Sequence, residues 1–165
     1  MADQPEIIER PEQPYLGILD DVTMDDMHLR IGPLFQELFG QVRERGITPA
    51  GPEFIRYHVI DMARRMGVEV GVPVDAGVTG TGRVTASTLP AGRYATVTHV
   101  GHPQELVGVT ADLLAWAESE HLAWDVRHEG SDDVWGARVE FTLTDPSAEP
   151  DMSKWETQLA FRLAD

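Results

Sequence analysis

The sequence has no cysteine, a single lysine (Lys154), no surplus of basic charge and no long apolar run, and the main absences close classes of function. Without cysteine there is no disulfide framework, no thiolate zinc site and no cysteine nucleophile. With 28 acidic residues against 13 basic ones, the formal net charge is −15. Such a surface repels phosphate backbones and anionic lipid, so neither nucleic acid nor a membrane is expected as a partner. No stretch approaches the roughly 20 apolar residues that span a bilayer, and no basic-then-apolar signal opens the chain, which predicts a cytoplasmic protein. What is present is 165 residues, 42% of them hydrophobic, enough for one domain with a real core rather than a disordered acidic chain.

Several apparent motifs dissolve on inspection. The run GVTGTG (77–82) has the wrong spacing for a dinucleotide fingerprint, and a strand-like alternation, Arg83–Ser87, follows it instead of a helix. The six histidines form no H-x-x-x-H or H-x-H pair, and His99 and His102 flank a turn, so neither a metal nor another cofactor is expected. Ser87, Ser119, Ser131, Ser147 and Ser153 sit in no nucleophile-elbow context.

The organisation that does emerge is a repeat within a single domain, 1–165. Residues 1–13, rich in proline and acid, read as a loose lead-in. Repeat one (14–75) starts with the apolar strand Tyr15–Leu19. A capping box at Thr23 and Asp26 precedes a helix in which Pro33 takes the first turn and Leu34, Phe35, Leu38, Phe39 and Val42 share a face, closed at Gly46. Strands at Glu53–Ile60 and Val68–Val74 complete it. Repeat two (83–163) has a strand at Arg93–His99 and a helix opened by Pro103 with Leu106, Val109, Leu113, Leu114, Trp116 and Ala117 inward. A long strand from Trp135 to Pro146 and a closing strand at Trp155–Leu163 follow. Setting Asp61 on Asp145 aligns FIRYHVID with RVEFTLTD. The expected fold is therefore α+β: duplicated β-α-β-β units in an antiparallel sheet, helices on one face, and a ligand cleft where the halves meet.

In order, PEQPYLGI, GPEFIRYHVID, VEVGVPV, LPAGRYATVTHVG and VEFTLTDP resemble the motifs of GyrI-like small-molecule-binding domains. These also serve as effector-binding domains of AraC- and MerR-type multidrug-sensing transcription regulators. The resemblance runs from about residue 13 to the C-terminus. It implies a pocket at the pseudo-twofold interface for bulky aromatic compounds, cationic ones included, around an acidic residue ringed by aromatics. The family's glutamate falls on Glu140. Three positions depart from the pattern: Thr142 where a tyrosine is common, Gly101-His102-Pro103 where an aromatic follows the turn, and Arg162 where a proline is common. They imply a rearranged or more polar pocket.

Alternation in the Glu140 strand puts Val139, Phe141 and Leu143 on one face, expected under the helices, and Arg138, Glu140 and Thr142 on the other. On alternation alone Glu140 reads as an ordinary surface acid; the resemblance is what singles it out. The repeat alignment sets Arg56 and His58 opposite Glu140 and Thr142, so Phe54, Arg56 and His58 are expected to line the cleft, with Arg56 able to pair with Glu140. The family motif points instead to Tyr57, which strand parity sends to the core unless a bulge intervenes, and Tyr57 and His58 both stand as candidates. Tyr94 is expected to face the cleft. Trp124, Trp135 and Trp155 lie near strand ends, where stacking on a ligand and capping the core are equally open. Trp116 reads as core.

Two functions follow. The first is a non-enzymatic protein that captures apolar, aromatic or cationic compounds around Glu140, by sequestration or as a sensor; no helix-turn-helix segment is legible. The second, implied by similarity to stand-alone relatives that open strained electrophilic rings such as cyclopropanes in toxic natural products, is a hydrolase with Glu140 as general base.

Overall fold

The structure, a computed structural model, describes residues 2–165. It is α+β, with ten strands in one curled antiparallel sheet and two α-helices. The strands are β1 (Glu6–Arg10), β2 (Gln13–Val22), β3 (Phe54–Asp61), β4 (Arg65–Pro73), β5 (Thr85–Leu89), β6 (Gly92–Val100), β7 (Val126–Glu129), β8 (Asp132–Trp135), β9 (Arg138–Thr142) and β10 (Glu156–Arg162). The helices are α1 (Met27–Glu44), between β2 and β3, and α2 (Leu106–Ser119), between β6 and β7. Across the sheet the order is β1-β6-β10-β9-β3-β4-β2-β5. The β7–β8 hairpin joins through β8 to the far end of β3, at Val59 and Ile60.

Local chemistry accounts for most of these boundaries. The Thr23 amide donates to Asp26 Oδ1 at 2.8 Å and the Asp26 amide to Thr23 Oγ1 at 3.2 Å, and this reciprocal pair starts the helix well before Pro33. Pro33 therefore lies inside α1, not in its first turn. There it removes the amide that would bond the Leu29 carbonyl. Pro33→Ala should raise stability by about 2 kcal/mol, the helix-interior cost of proline less the entropy that proline removes from the unfolded chain. A thermal melt compared with the parent checks it. Gly46, at φ 64°, ends α1 with the Ile47 amide returning to the Val42 carbonyl at 3.0 Å. At the second helix Pro103 does stand at the start of a short 3₁₀ turn leading into α2. A capping box spans His102 and Glu105, with the His102 amide donating to Glu105 Oε1 at 2.8 Å.

Two sequence expectations change. Residues 6–10 are not loose: they form β1, paired antiparallel with β6 from Glu6–Thr96 to Arg10–Gly92. The long strand expected from Trp135 to Pro146 is two pieces, β8 and β9, broken at Gly136-Ala137 and ended at Thr142. The glycine-rich stretch is a turn, with Gly77 and Gly82 at positive φ, that delivers the chain to β5 beside β2.

Both helices cover the same sheet face. α1 packs on β2 and β4, burying Leu34, Leu38 and Val42 against Leu16, Ile18, Val70 and Val72. α2 packs mainly on β6, with Val109 and Leu113 joining Val97, Ala95, Leu159 and Phe161. The gap between the helices is floored by the central strands β3, β9 and β10. The opposite face, inside the curl, holds Tyr15, Phe54, Tyr94, Ala137, Val139, Phe141 and Ala160. Gly71 is required there because a Cβ would run into the Phe54 ring.

Candidate functional site

Residues directly opposite in an antiparallel pair share a face. Glu140 pairs with Ile55 of β3 on one side and Leu159 of β10 on the other, and Arg138 pairs with Phe161. Leu159 and Phe161 belong to the core under α2, so Arg138 and Glu140 stand on the helix-covered face, at the floor of the inter-helix gap. Val139 and Phe141 point the other way, into the curl. Their expected packing under the helices is thus reversed. The alternation itself holds; the source is that both faces of β9 are covered, so the apolar face packs inside the curl while Arg138 and Glu140 take the helix side.

The same register places Tyr57 with Glu140. Tyr57 pairs with Val68 on the helix side, then the register slips, and His58 and Val59 together oppose Gly67 before Ile60 pairs with Met66. This bulge returns Ile60 to the face that Ile55 and Tyr57 share and turns His58 away. The Tyr57 hydroxyl and the Glu140 carboxyl act on one another's ionisation. Burial pushes the Glu140 carboxyl above its ordinary value, while Tyr57 and the Arg138 guanidinium pull it back. Burial also raises the Tyr57 hydroxyl well above its usual range, with the Glu140 charge adding to the effect. Tyr57, Arg138 and Glu140 are each half-buried.

Arg138, not Arg56, is the arginine whose charge acts on Glu140. Its Cζ lies 4.6 Å from the centroid of Phe161, 4.9 Å from that of Trp135 and 5.9 Å from that of Tyr57. Beneath it Trp124, Trp135 and Phe161 form a three-ring cluster with centroids 5.7–5.9 Å apart. The site is therefore a carboxyl, a phenol and a guanidinium held against a wall of aromatic rings. Sequence alternation already put Arg138 on the face of Glu140. Phe161 carried no such signal, because its place depends on the β9–β10 register.

The other candidates lie elsewhere. Phe54 and Tyr94 are buried inside the curl, Tyr94 donating to the Pro90 carbonyl at 2.7 Å. Trp155 sits at the opposite end of β10 from Phe161, half-buried, and its indole donates to the Glu149 carbonyl at 2.7 Å, anchoring the acidic loop. Arg56 and His58 join a second polar cluster on the far face. There Tyr15 donates to Glu69 Oε1 at 2.5 Å, His58 Nε2 meets the same oxygen at 2.7 Å, and Arg56 donates to the Tyr15 hydroxyl at 2.9 Å and the Gly136 carbonyl at 2.7 Å. The sheet itself separates this cluster from Glu140.

Two surface hollows, of about 190 and 350 Å³, do not include Glu140, although the second is lined by Thr142, the next residue on its face of β9. The first includes Arg10, Pro73 and Phe141, the second Phe39, Glu53 and Asp145; neither joins a buried carboxyl to aromatic rings. Among the described residues no group of His, Asp or Glu is placed to hold a metal, and no helix is long and apolar enough to cross a membrane.

A model of the GyrI-like small molecule binding domain matches residues 3–134. The chain belongs to the GyrI-like family. Solved structures share the GyrI-like fold at low identity. The EcmrR C-terminal domain superposes with a TM-score of 0.73 at 21% identity, covering 98% of both chains. EcmrR in its complex with DNA gives 0.74 at 21% identity over 98% of this chain, which spans 57% of that one. A hydrolase from Listeria innocua gives 0.64 at 17% identity, over 98% of this chain and 92% of that one. SAV2435 bound to tetraphenylphosphonium gives 0.63 at 9% identity, over 98% and 94%. No curated protein matches the sequence.

A titration test of the site follows from the buried carboxyl. A carboxyl whose pKa is raised in the fold favours the native state while protonated. That stability is lost as pH climbs from the ordinary carboxylate value through the raised one, because the unfolded chain gives up its proton first. Glu140→Gln, which stays neutral, should therefore be more stable than the parent at pH 7, and the gap should close below about pH 4. Urea denaturation at both pH values measures it; a variant less stable at pH 7 would show that the Arg138 attraction outweighs burial.

Proposed function

We propose that this GyrI-like domain captures bulky aromatic small molecules in the cleft between α1 and α2, over Glu140 and Tyr57 and against the Trp124–Trp135–Phe161 rings. The observation that carries this reading is the Tyr57–Glu140–Arg138 group standing half-exposed on an aromatic floor between the helices. Flat apolar walls with a few convergent polar groups are what an aromatic ligand needs. SAV2435, of like fold, is solved with a bulky aromatic compound bound. Capture serves sequestration or sensing, the second being the role of effector-binding domains in regulators. Calorimetric titration with naphthalene-sized probes tests it: one-to-one binding, weakened at least tenfold in Tyr57→Ala, is expected. Binding that ignores Tyr57 but fails in variants of Arg10 would move the site to the other side of the molecule.

A second reading rests on the same carboxyl. Burial raises Glu140 towards the range in which a carboxylate activates water, and a hydrolase shares the fold. Incubation with a cyclopropane-bearing electrophile distinguishes the two. Water-added product that disappears in Glu140→Gln establishes hydrolysis, and binding without turnover leaves capture alone.

A further inference from the structure

The aromatic floor at Glu140 already holds a cation, its own. The Arg138 guanidinium covers Phe161, Trp135 and, at longer range, Tyr57. Those ring faces would otherwise attract a ligand cation, and a face covered by one cation repels a second. The same arginine stands beside Glu140 and offsets its charge. Meanwhile two buried donors at this floor have no partner among the described residues: Arg138 Nε and Trp135 Nε1. A buried donor without an acceptor is costly, and a ligand that supplies the acceptor recovers that cost on binding.

We propose that Arg138 sets the ligand class, so that the site takes aromatic compounds bearing a carbonyl or carboxylate acceptor and turns away organic cations. This rests on the capture reading above. The guanidinium is the resident cation of the cage, and its Nε–H, with the Trp135 indole N–H, supplies the donors that recognise the acceptor. Stacking on the rings supplies the rest of the affinity.

The test uses three probes on the full chain and on Arg138→Met, which keeps side-chain length without charge or donor: 2-acetylnaphthalene, 2-ethylnaphthalene and tetraphenylphosphonium. The parent should prefer the ketone to the matching hydrocarbon by about tenfold or more, the usual worth of a hydrogen bond from a charged donor, and should bind tetraphenylphosphonium weakest. In Arg138→Met the ketone preference should vanish and tetraphenylphosphonium binding should tighten at least tenfold. The comparison of ketone with hydrocarbon needs only the parent protein, so it stands even if the variant folds poorly. A parent that binds tetraphenylphosphonium as tightly as the variant, or that does not separate ketone from hydrocarbon, overturns the role of Arg138 and leaves capture intact. If no probe binds either protein, the capture reading itself fails and the role of Arg138 falls with it.

Discussion

Glu69→Ala is expected to destabilise the protein by about 3–5 kcal/mol, the cost of leaving a buried charge without its counterpart. Glu69 is 4% exposed and Arg56 9%, on the sheet face away from the helices. They are joined through a fully buried phenol: Arg56 donates to the Tyr15 hydroxyl at 2.9 Å, and that hydroxyl donates to Glu69 at 2.5 Å. Gly17 leaves the space for this arrangement, since a Cβ there would stand 2.6 Å from Glu69 Oε2. Alanine removes the carboxylate that reaches Arg56 through Tyr15 and strips the acceptor from Tyr15 and His58 together. Glu69→Gln keeps the volume and an acceptor, so it should cost less than half as much. Urea denaturation of both variants measures the difference. A loss under about 1 kcal/mol for alanine would mean that water replaces the carboxylate and the network is not sealed.

Alkaline pH probes the same network through Tyr15, whose hydroxyl burial, helped by the Glu69 charge, raises to about 12. An acid raised in the fold holds its proton longer than the unfolded chain does. Stability contributed by Tyr15 is therefore intact below about pH 10 and is lost between there and about pH 12. Tyr15→Phe should remove that part of the alkaline loss, read as denaturation midpoints at pH 9 and pH 11.

How much of this was legible in the sequence follows the range of the interactions. The helix-opening chemistry at His102-Pro103 and the closing glycine at Gly46 are local, and both elements stand where the residues point. Pro33 misled because a stronger local signal, the Thr23–Asp26 pair, lies upstream and the helix runs through the proline. β1 escaped notice because five residues of edge strand carry little alternation, and only pairing with β6 orders them. Parity within a strand was readable, and Arg138 and Glu140 do share a face. Which face the helices cover was not, because that is decided by the long-range register Ile55–Glu140–Leu159. Setting Asp61 on Asp145 drew Arg56 and His58 into the expected cleft, and they lie across the sheet from Glu140 in a network of their own.

Trp135→Ala should be the most damaging change at the site itself, costing about 3–5 kcal/mol of stability and abolishing aromatic capture. Trp135 is 7% exposed and touches both other rings of the floor and the guanidinium above them. It stands 5.7 Å from Trp124 and 5.8 Å from Phe161, centroid to centroid, and carries the Arg138 guanidinium at 4.9 Å. Truncation opens a cavity, removes two ring contacts worth roughly 0.5–1.5 kcal/mol each beyond buried area, and loosens Trp124, which lies outside the strands and meets the sheet at a bridge to Leu163. Arg138 then loses a ring face and turns towards Glu140, which closes the gap that a ligand would enter. Trp135→Phe separates packing from recognition: the ring contacts persist, so stability should fall by only about 1–2 kcal/mol, while the indole donor is gone. Near-ultraviolet circular dichroism reports the remaining Trp124 packing, and urea denaturation with probe titration reports the rest. If Trp135→Ala keeps both its stability and its aromatic binding, the three-ring floor is not where ligands land.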